Sequence, residues 1–133
     1  MPTLLIIDDD ADFRTLIERK FSPLGYEVIA AADGVQGLQM VMSNPSIDLI
    51  LLDLHMPARD GLETLKMIRS VRPEAKVIIV TAYFDDEAFA KAIAGPLPKE
   101  VSAILHKPVT SKDLNEAVQK ALGITLPPTR PLG

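Results

Sequence analysis

The stretch Thr3-Leu-Leu-Ile-Ile-Asp-Asp-Asp10 joins a short apolar run to three consecutive acids. Four apolar residues in succession, with no polar residue between them, indicate a strand that is covered on both faces. Strands of this kind belong to parallel sheets that carry helices on each side. The acids then lie at the carboxyl end of the strand, where open parallel sheets form their binding sites.

Four further runs have the same solid apolar character. They are predicted to be strands buried on both faces, at Tyr26–Ala30, Asp48–Asp53, Lys76–Thr81 and Ser102–Leu105. The segments between them have helical spacing, as at Phe13, Leu16, Ile17 and Phe21, and at Leu114, Ala117, Val118, Ala121 and Leu122. Because strands and helices alternate five times, we predict an α/β domain. It is a (βα)5 doubly wound, five-stranded parallel sheet with the flavodoxin-like strand order 2-1-3-4-5.

Short polar side chains mark the predicted helix starts, since their oxygens can accept the first free backbone amides of a helix. Those expected to cap a helix or to charge its first turn are Asp10, Asp12, Asp33, Asp60 and Thr110. The predicted fourth helix carries Asp85, Asp86 and Glu87 in its first turn, where the helix dipole favours negative charge.

The composition limits the chain to one ordinary domain and excludes several kinds of site. The 133 residues include no cysteine, which excludes disulfides and thiolate zinc sites. With only two histidines, a histidine-rich metal site is not expected either. A formal net charge of −4 has the wrong sign for a domain that grips nucleic acid. No apolar run reaches the roughly eighteen residues of a membrane span and no basic leader is present, so we expect a soluble cytoplasmic protein. We expect the domain to cover residues 1–122, followed by a Pro-rich tail or truncated linker at residues 123–133.

Polar residues end four of the five predicted strands. They are Asp8-Asp9-Asp10 after the first strand, Asp53 on the third, Thr81 on the fourth and Lys107 after the fifth. Because neighbouring parallel strands end at the same edge, about 4.8 Å apart, these side chains are expected to share one pocket. Each residue alone has a simpler interpretation, as a helix cap or a solvated lysine, but the combination predicts a site.

The residue types in this pocket suit phosphoryl transfer. Clustered carboxylates repel one another unless a cation lies among them. Hard oxygen donors without cysteine or histidine favour Mg²⁺, for which Mn²⁺ can substitute. A divalent cation beside a carboxylate nucleophile, a hydroxyl and a lysine is typical of a site that forms an aspartyl phosphate.

Four short motifs occur in order along the chain: Leu4-Leu-Ile-Ile-Asp-Asp-Asp10, Asp53-Leu-His-Met-Pro-Ala-Arg-Asp-Gly61, Val80-Thr-Ala82 and Lys107-Pro108. Each motif alone has modest specificity. In this order and at nearly these spacings they resemble the receiver domain of bacterial two-component response regulators, of the chemotaxis-regulator type. The resemblance covers about residues 3–122.

The resemblance implies a phosphoacceptor and a metal site. Asp53 matches the aspartate that accepts a phosphoryl group from a sensor kinase histidine or a phosphotransfer protein. Asp8 and Asp9 match the acid pair that holds Mg²⁺ beside this aspartate. The backbone carbonyl of His55 matches a further protein ligand, whereas neither histidine side chain is expected on the metal.

The resemblance also implies a switch. Thr81 matches the hydroxyl that turns toward the phosphoryl group, and Lys107 matches its ion-pair partner. Ala82 is expected to leave the acceptor open to the kinase, and Gly61 to let the loop after the third strand close into a helix. The Lys107–Pro108 peptide is expected to be cis.

Two features depart from the family pattern. The family usually has an aromatic residue three positions before the lysine, where this chain has Ile104, a stiff side chain without a ring to relocate. The interval between Thr81 and Lys107 is also longer than usual, with the excess in Gly95-Pro-Leu-Pro-Lys-Glu100. This insertion is either a neutral loop or a change to the face of helix 4, strand 5 and helix 5, where many relatives dimerise.

The resemblance implies a signalling module that catalyses only its own phosphorylation and dephosphorylation. It would control an output domain or protein target, as a monomer or as a phosphorylation-dependent homodimer, without direct contact to nucleic acid or membrane. The alternative is a phosphorylation-independent pseudo-receiver, against which the intact acids, threonine and lysine argue. A haloacid-dehalogenase-type hydrolase usually has a cap domain, for which 133 residues leave little room. A flavin carrier would need a hydroxyl- and glycine-rich phosphate loop after the first strand, where this chain has aspartates.

Overall fold

A computed structural model describes residues 2–54, 61–82 and 101–124 of the chain. Its five strands form one parallel sheet in the order β2-β1-β3-β4-β5. They are β1 (Thr3–Ile7), β2 (Glu27–Ala31), β3 (Ile47–Leu52), β4 (Lys76–Thr81) and β5 (Val101–His106). The predicted fold class and strand order are confirmed.

Four helices belong to the described residues: α1 (Ala11–Phe21), α2 (Gly34–Ser43), α3 (Gly61–Val71) and the C-terminal helix (Ser111–Leu122). A short 3-10 helix, Ser22–Leu24, follows α1. The predicted fourth helix of the (βα)5 pattern lies outside the described residues. Within the described part of the chain, no helix is long and apolar enough to cross a membrane.

The sheet has an apolar core on each face because alternate residues of the central strands point in opposite directions. On one side, Leu5 and Ile7 of β1 pack with residues of α2 and α3. On the other side, Leu4 and Ile6 pack with residues of α1 and the C-terminal helix. Helices on both faces are what the solid apolar runs predict.

The prediction that all five strands are buried on both faces is wrong for the two edge strands. In β2 only Ala31 is buried, while in β5 Ser102, Ile104 and His106 are exposed in alternation with partly buried neighbours. An edge strand has one neighbour instead of two, and helices packed over the middle of the sheet cover it less. The bounds of β1 and β4 are as predicted, and those of the other three differ by one residue at each end.

Helix starts agree with the sequence where they are described. Asp10 caps α1 by accepting from the amide of Asp12 at 2.9 Å, and Asp33 caps α2 by accepting from Gln36 at 2.8 Å. Thr110 caps the C-terminal helix in the same way, at 3.1 Å. The predicted cap Asp60 and the acids Asp85, Asp86 and Glu87 lie outside the described residues.

Leu16 does not belong to the core stripe of α1 that the spacing predicts, because its side chain is 48% exposed. Phe13, Ile17 and Phe21 are buried and define the stripe. At 3.6 residues a turn, Leu16 lies about 100° around the helix from the centre of that stripe.

Arg72, which follows α3, ties the end of α2 to the start of β3. Its Nη2 donates to the carbonyl oxygens of Val41 at 2.8 Å and Asn44 at 2.9 Å, and its Nη1 donates to that of Ile47 at 3.4 Å. The last carbonyls of a helix lack backbone partners, and the helix dipole favours a cation there. Arg72 therefore stabilises both the helix end and the strand start.

Arg72→Met is expected to lower the free energy of unfolding by about 1.5–3 kcal/mol, because three carbonyls lose a charged donor while the aliphatic stem remains. Urea denaturation measures the change. Arg19→Met, on the exposed last turn of α1, is the matched control and should shift stability by less than about 0.5 kcal/mol. Equal losses in the two variants would contradict the role assigned to Arg72.

Candidate functional site

Two aspartates are fixed at the carboxyl edge of the sheet by its own hydrogen-bond ladder. Asp8 directly follows β1 and donates its amide to Ala31 at 3.1 Å, and Asp53 directly follows β3 and donates to Ile7 at 3.0 Å. The carboxylates of Asp8, Asp9 and Asp53 each offer an oxygen within 4.8 Å of the others. Asp8 is fully buried and Asp53 nearly so, whereas Asp9 is exposed. The structure thus brings together the three acids that the sequence predicts.

Lys107 reaches this cluster from the far edge of the sheet. Its Nζ lies 2.7 Å from Oδ2 of Asp8 and 3.5 Å from Oδ2 of Asp53. Its backbone amide donates to the carbonyl oxygen of Thr81 at 2.9 Å, which extends the pairing of β4 with β5 by one residue. The Lys107–Pro108 peptide is cis, as predicted.

Burial controls the electrostatics of the site. Desolvation raises the pKa of Asp8, and repulsion by Asp53 adds to it, outweighing the hydrogen bonds from Lys107 and from the amide of Asp10. Desolvation pulls the pKa of Lys107 down, but its hydrogen bond with Asp8 and the charges of both carboxylates raise it overall. The single ammonium of Lys107 therefore does not fully compensate the burial of Asp8.

The turn between β1 and α1 is held by hydrogen bonds to Asp8. Oδ1 of Asp8 accepts from the amide of Asp10 at 2.9 Å. Arg14, near the start of α1, donates from its Nη1 to the carbonyl oxygen of Asp8 at 2.8 Å. The sequence reasoning did not identify Arg14, because the contact depends on how the helix folds back over the strand end.

Phe13 is a second residue whose role at the site the sequence reasoning missed. It was predicted as a core residue, and it is buried against the core shared by α1 and the C-terminal helix. Its ring also lies 4.3 Å from the Nζ of Lys107. The helix cap at Asp10 was the available signal, since it places Phe13 in the first turn of α1, beside the carboxyl edge of the sheet.

Gly61 allows α3 to begin directly against the end of β3. A Cβ at this position would lie 2.5 Å from the carbonyl oxygen of Asp53 and 2.8 Å from the carbonyl carbon of Leu54. The amide of Gly61 donates to the carbonyl oxygen of Leu54 at 3.2 Å. The absence of a side chain is therefore what lets the backbone close behind Asp53, in agreement with the sequence prediction for Gly61.

The remaining predicted residues fall in two groups. Thr81 ends β4 and is fully buried, Ala82 follows it and is exposed, and Ile104 on β5 is 36% exposed. The His55 carbonyl, predicted as a metal ligand, and the insertion at Gly95–Glu100 lie outside the described residues.

Comparison with known proteins identifies the family. The model of the response regulator receiver domain matches residues 4–119. Sporulation initiation phosphotransferase F of Bacillus subtilis is 35% identical over 121 residues, covering 90% of this chain and 92% of that protein. This chain belongs to the response regulator receiver domain family, so the function predicted at this level, a receiver domain of two-component signalling, is confirmed.

Solved structures agree with this assignment. A CheY-like response regulator receiver domain protein from Methanospirillum hungatei has a TM-score of 0.83 and 30% identity, covering 92% of this chain and 94% of that one. The response regulator TrrA from Thermotoga maritima, solved in complex with Mg²⁺-BeF, has a TM-score of 0.78 and 30% identity, covering 92% and 100%.

Some relatives are much longer than this chain. The transcriptional regulatory protein GlrR of Escherichia coli is 33% identical over 126 residues, which is 95% of this chain and 27% of GlrR. The chain thus spans about a quarter of the length of such regulators.

Carbon-13 NMR titration of the Asp8 carboxyl in the metal-free protein is expected to give a pKa above the ordinary 3.8, because burial penalises the carboxylate. Lys107→Met should raise this pKa further, since the lysine stabilises the charged form. Asp53→Asn should lower it, since a repelling charge is removed. An Asp8 pKa at or below 3.8 in the wild type would contradict the description of the site.

The sign of the stability effect follows from the same shift. A raised folded pKa means that the folded protein holds this proton more tightly than the unfolded chain does. The stabilisation of the fold by this proton is fully present below pH 3.8, the pKa of the carboxyl in the unfolded chain. It is lost as the pH rises through the higher pKa of the folded state. Asp8 therefore destabilises the metal-free fold at neutral pH.

Proposed function

We propose that Asp53 is the phosphoacceptor of this receiver domain. The observation that carries the proposal is the position of its carboxylate, 5% exposed as a residue, 3.5 Å from the Lys107 ammonium and beside the carboxylates of Asp8 and Asp9. A carboxylate in such a setting lies next to the positive charge that a transferred phosphoryl group requires.

The transfer is a displacement at phosphorus. An oxygen of the Asp53 carboxylate forms the new bond to phosphorus, and the bond from phosphorus to the donor breaks, with its electron pair leaving on the donor. The donor is the phosphohistidine of a sensor kinase or phosphotransfer protein. The Lys107 ammonium, already next to Asp53, neutralises part of the charge on the phosphoryl oxygens. The domain thus assists its own phosphorylation without acting on a separate substrate.

Asp8, Asp9 and Asp53 are the described residues that would hold Mg²⁺. They fit this ion because the donors are carboxylate oxygens, close enough together for a shared cation. Burial is the main cause that raises the pKa of Asp8, with repulsion by Asp53 as a smaller cause, and a cation held between the carboxylates would counter both. When bound, Mg²⁺ neutralises the phosphoryl oxygens and orients the donor group. Mn²⁺ is proposed as a substitute.

Thr81 and Ala82 are proposed as the switch and the access position. Thr81 is buried at the end of β4. Its carbonyl oxygen accepts a hydrogen bond from the backbone amide of Lys107, the residue whose ammonium pairs with Asp53. Its hydroxyl would bond a phosphoryl oxygen once one is present. Ala82 is exposed and small, which leaves room for the donor protein.

We further propose a cytoplasmic module of residues 1–122, whose phosphorylation controls an output domain or a separate protein target. Receiver domains of response regulators have kinases and output domains as partners in general. The segment 123–133 is proposed as a linker or tail. Dimerisation through the predicted fourth helix, β5 and the C-terminal helix is proposed as well.

Incubation with acetyl phosphate and Mg²⁺ is expected to add about 80 Da, one phosphoryl group, to the wild-type chain. Asp53→Asn should abolish the adduct, because an amide cannot act as the nucleophile. Intact-protein mass spectrometry of quenched samples provides the measurement.

Asp48→Asn is the matched control, since Asp48 lies at the opposite end of β3 and accepts from the amide of Thr3. This variant should form the adduct as the wild type does. A wild-type chain without an adduct would indicate a pseudo-receiver, and continuous turnover of other phosphoesters would indicate a hydrolase.

Mg²⁺ is expected to raise the unfolding temperature of the wild type, since a ligand that binds only the folded state stabilises it. Asp9→Asn should weaken Mg²⁺ binding about tenfold or more while leaving the buried core intact, because Asp9 is exposed. Asp12→Asn, an exposed acid of the adjacent helix turn, is the control and should bind as the wild type does. Equal Mg²⁺ affinities in the two variants would exclude Asp9 as a ligand.

A further inference from the structure

The Lys107 ammonium is enclosed on three sides. Two sides are the carboxylates of Asp8 and Asp53, at 2.7 and 3.5 Å. The third is the ring of Phe13, whose centroid lies 4.3 Å from Nζ. The lysine side chain is only 19% exposed, so the ring and the cation meet where little water screens them. Attraction between a cation and an aromatic face is strongest under such conditions.

The ring contributes something that the two acids do not. Each carboxylate accepts a hydrogen bond from an N–H of the ammonium, and so it competes with any phosphoryl oxygen for that N–H. The π-face of Phe13 attracts the positive charge as a whole and depends on distance more than on where each hydrogen points. The ring can therefore keep the ammonium in place while one of its N–H groups exchanges a carboxylate oxygen for a phosphoryl oxygen as its hydrogen-bond acceptor.

We propose that Phe13 is a positioning residue for phosphoryl transfer, whose ring holds the Lys107 ammonium in reach of the group transferred to Asp53. This inference rests on the proposed function of Asp53. It goes beyond that function by assigning a role to a side chain that otherwise counts only as core. In this role Phe13 acts through Lys107 rather than on the reacting atoms.

Packing alone does not require an aromatic residue at this place. Phe13 stands at the top of an apolar stripe continued by Ile17 and Phe21, and an aliphatic side chain could also fill that volume. The test must therefore change the charge distribution of the ring while it leaves the shape of the core almost unaltered. Stepwise fluorination does this, because each fluorine draws electron density from the ring face and weakens its attraction for a cation.

The experiment replaces Phe13 in the full chain by 4-fluoro-, 3,5-difluoro- and 3,4,5-trifluorophenylalanine. The rate constant for phosphorylation by acetyl phosphate at saturating Mg²⁺ is measured by mass spectrometry of quenched samples, since the chain has no tryptophan to report the reaction by fluorescence. The rate constant should fall stepwise along the series, by about twofold to tenfold in total. The urea midpoint of unfolding should stay constant along the series.

The matched control is the same series at Phe21. This ring belongs to the same helix and the same core. It forms a T-shaped pair with Tyr26, with the ring centroids 5.3 Å apart, and has no contact with Lys107 among the contacts described. Its fluorination should leave the phosphorylation rate constant unchanged. Phe13→Leu provides a second variant, which keeps an apolar side chain without a π-face and should be at least as slow as the trifluorinated protein.

The possible outcomes separate the inference from the function on which it rests. Equal rate constants along the Phe13 series, or a wild-type rate constant in a folded Phe13→Leu protein, would overturn the role of the ring and leave Asp53 as the acceptor. A parallel decline in the Phe21 series would also overturn it, since the cause would then be the core. A wild-type chain that forms no adduct would overturn both proposals together.

Discussion

The ion pairing of Lys107 with Asp8 and Asp53 is the interaction on which the rest of the site depends. It joins residues that are 99 and 54 positions apart in the chain. The lysine follows the edge strand β5, and the two acids follow the central strands β1 and β3. Only the parallel order of the sheet, with all these strands ending at one edge, allows the three side chains to meet.

The same arrangement is costly for the fold. A buried carboxylate loses hydration that one shared ammonium does not replace, and the raised pKa of Asp8 expresses this deficit. The apolar packing of the central strands on both faces of the sheet compensates for it elsewhere, since their residues are almost completely buried. Three carboxylates and one ammonium meet at this edge of the sheet, so the formal charge of the cluster is negative and a bound cation would offset it.

Much of this architecture could be predicted from the chain. The bounds of β1 and β4 follow from solid apolar runs that end in polar residues, and the meeting of Asp8, Asp9 and Asp53 follows from the rule that parallel strands end at one edge. The exposure of β2 and β5 could not be derived in the same way, because it depends on how many neighbours a strand has. The apolar content of a segment does not show whether the strand lies in the middle or at the edge of the sheet.

Contacts between elements were harder to predict than the elements themselves. The helical spacing predicts that Phe13 is a core residue. Its distance from Lys107, however, depends on the turn from β1 into α1 and on the position of β5, which lies two strands beyond β3 in the sheet. The donation from Arg14 to the Asp8 carbonyl depends on the same turn. Spacing predicts which face a side chain shares, whereas the partner on that face depends on the tertiary structure.

The choice of lysine at position 107 is consistent with a site that must change its partners. A guanidinium has a rigid fork of donors that would bind two carboxylate oxygens in a fixed plane. An ammonium is compact and has three donors that can rotate, so it can be shared unequally, at 2.7 Å from Asp8 and 3.5 Å from Asp53. The longer of these contacts is with the proposed acceptor, the group whose charge and shape would change. A cation held by a short contact to one acid and by the Phe13 ring can adjust to that change without leaving the pocket.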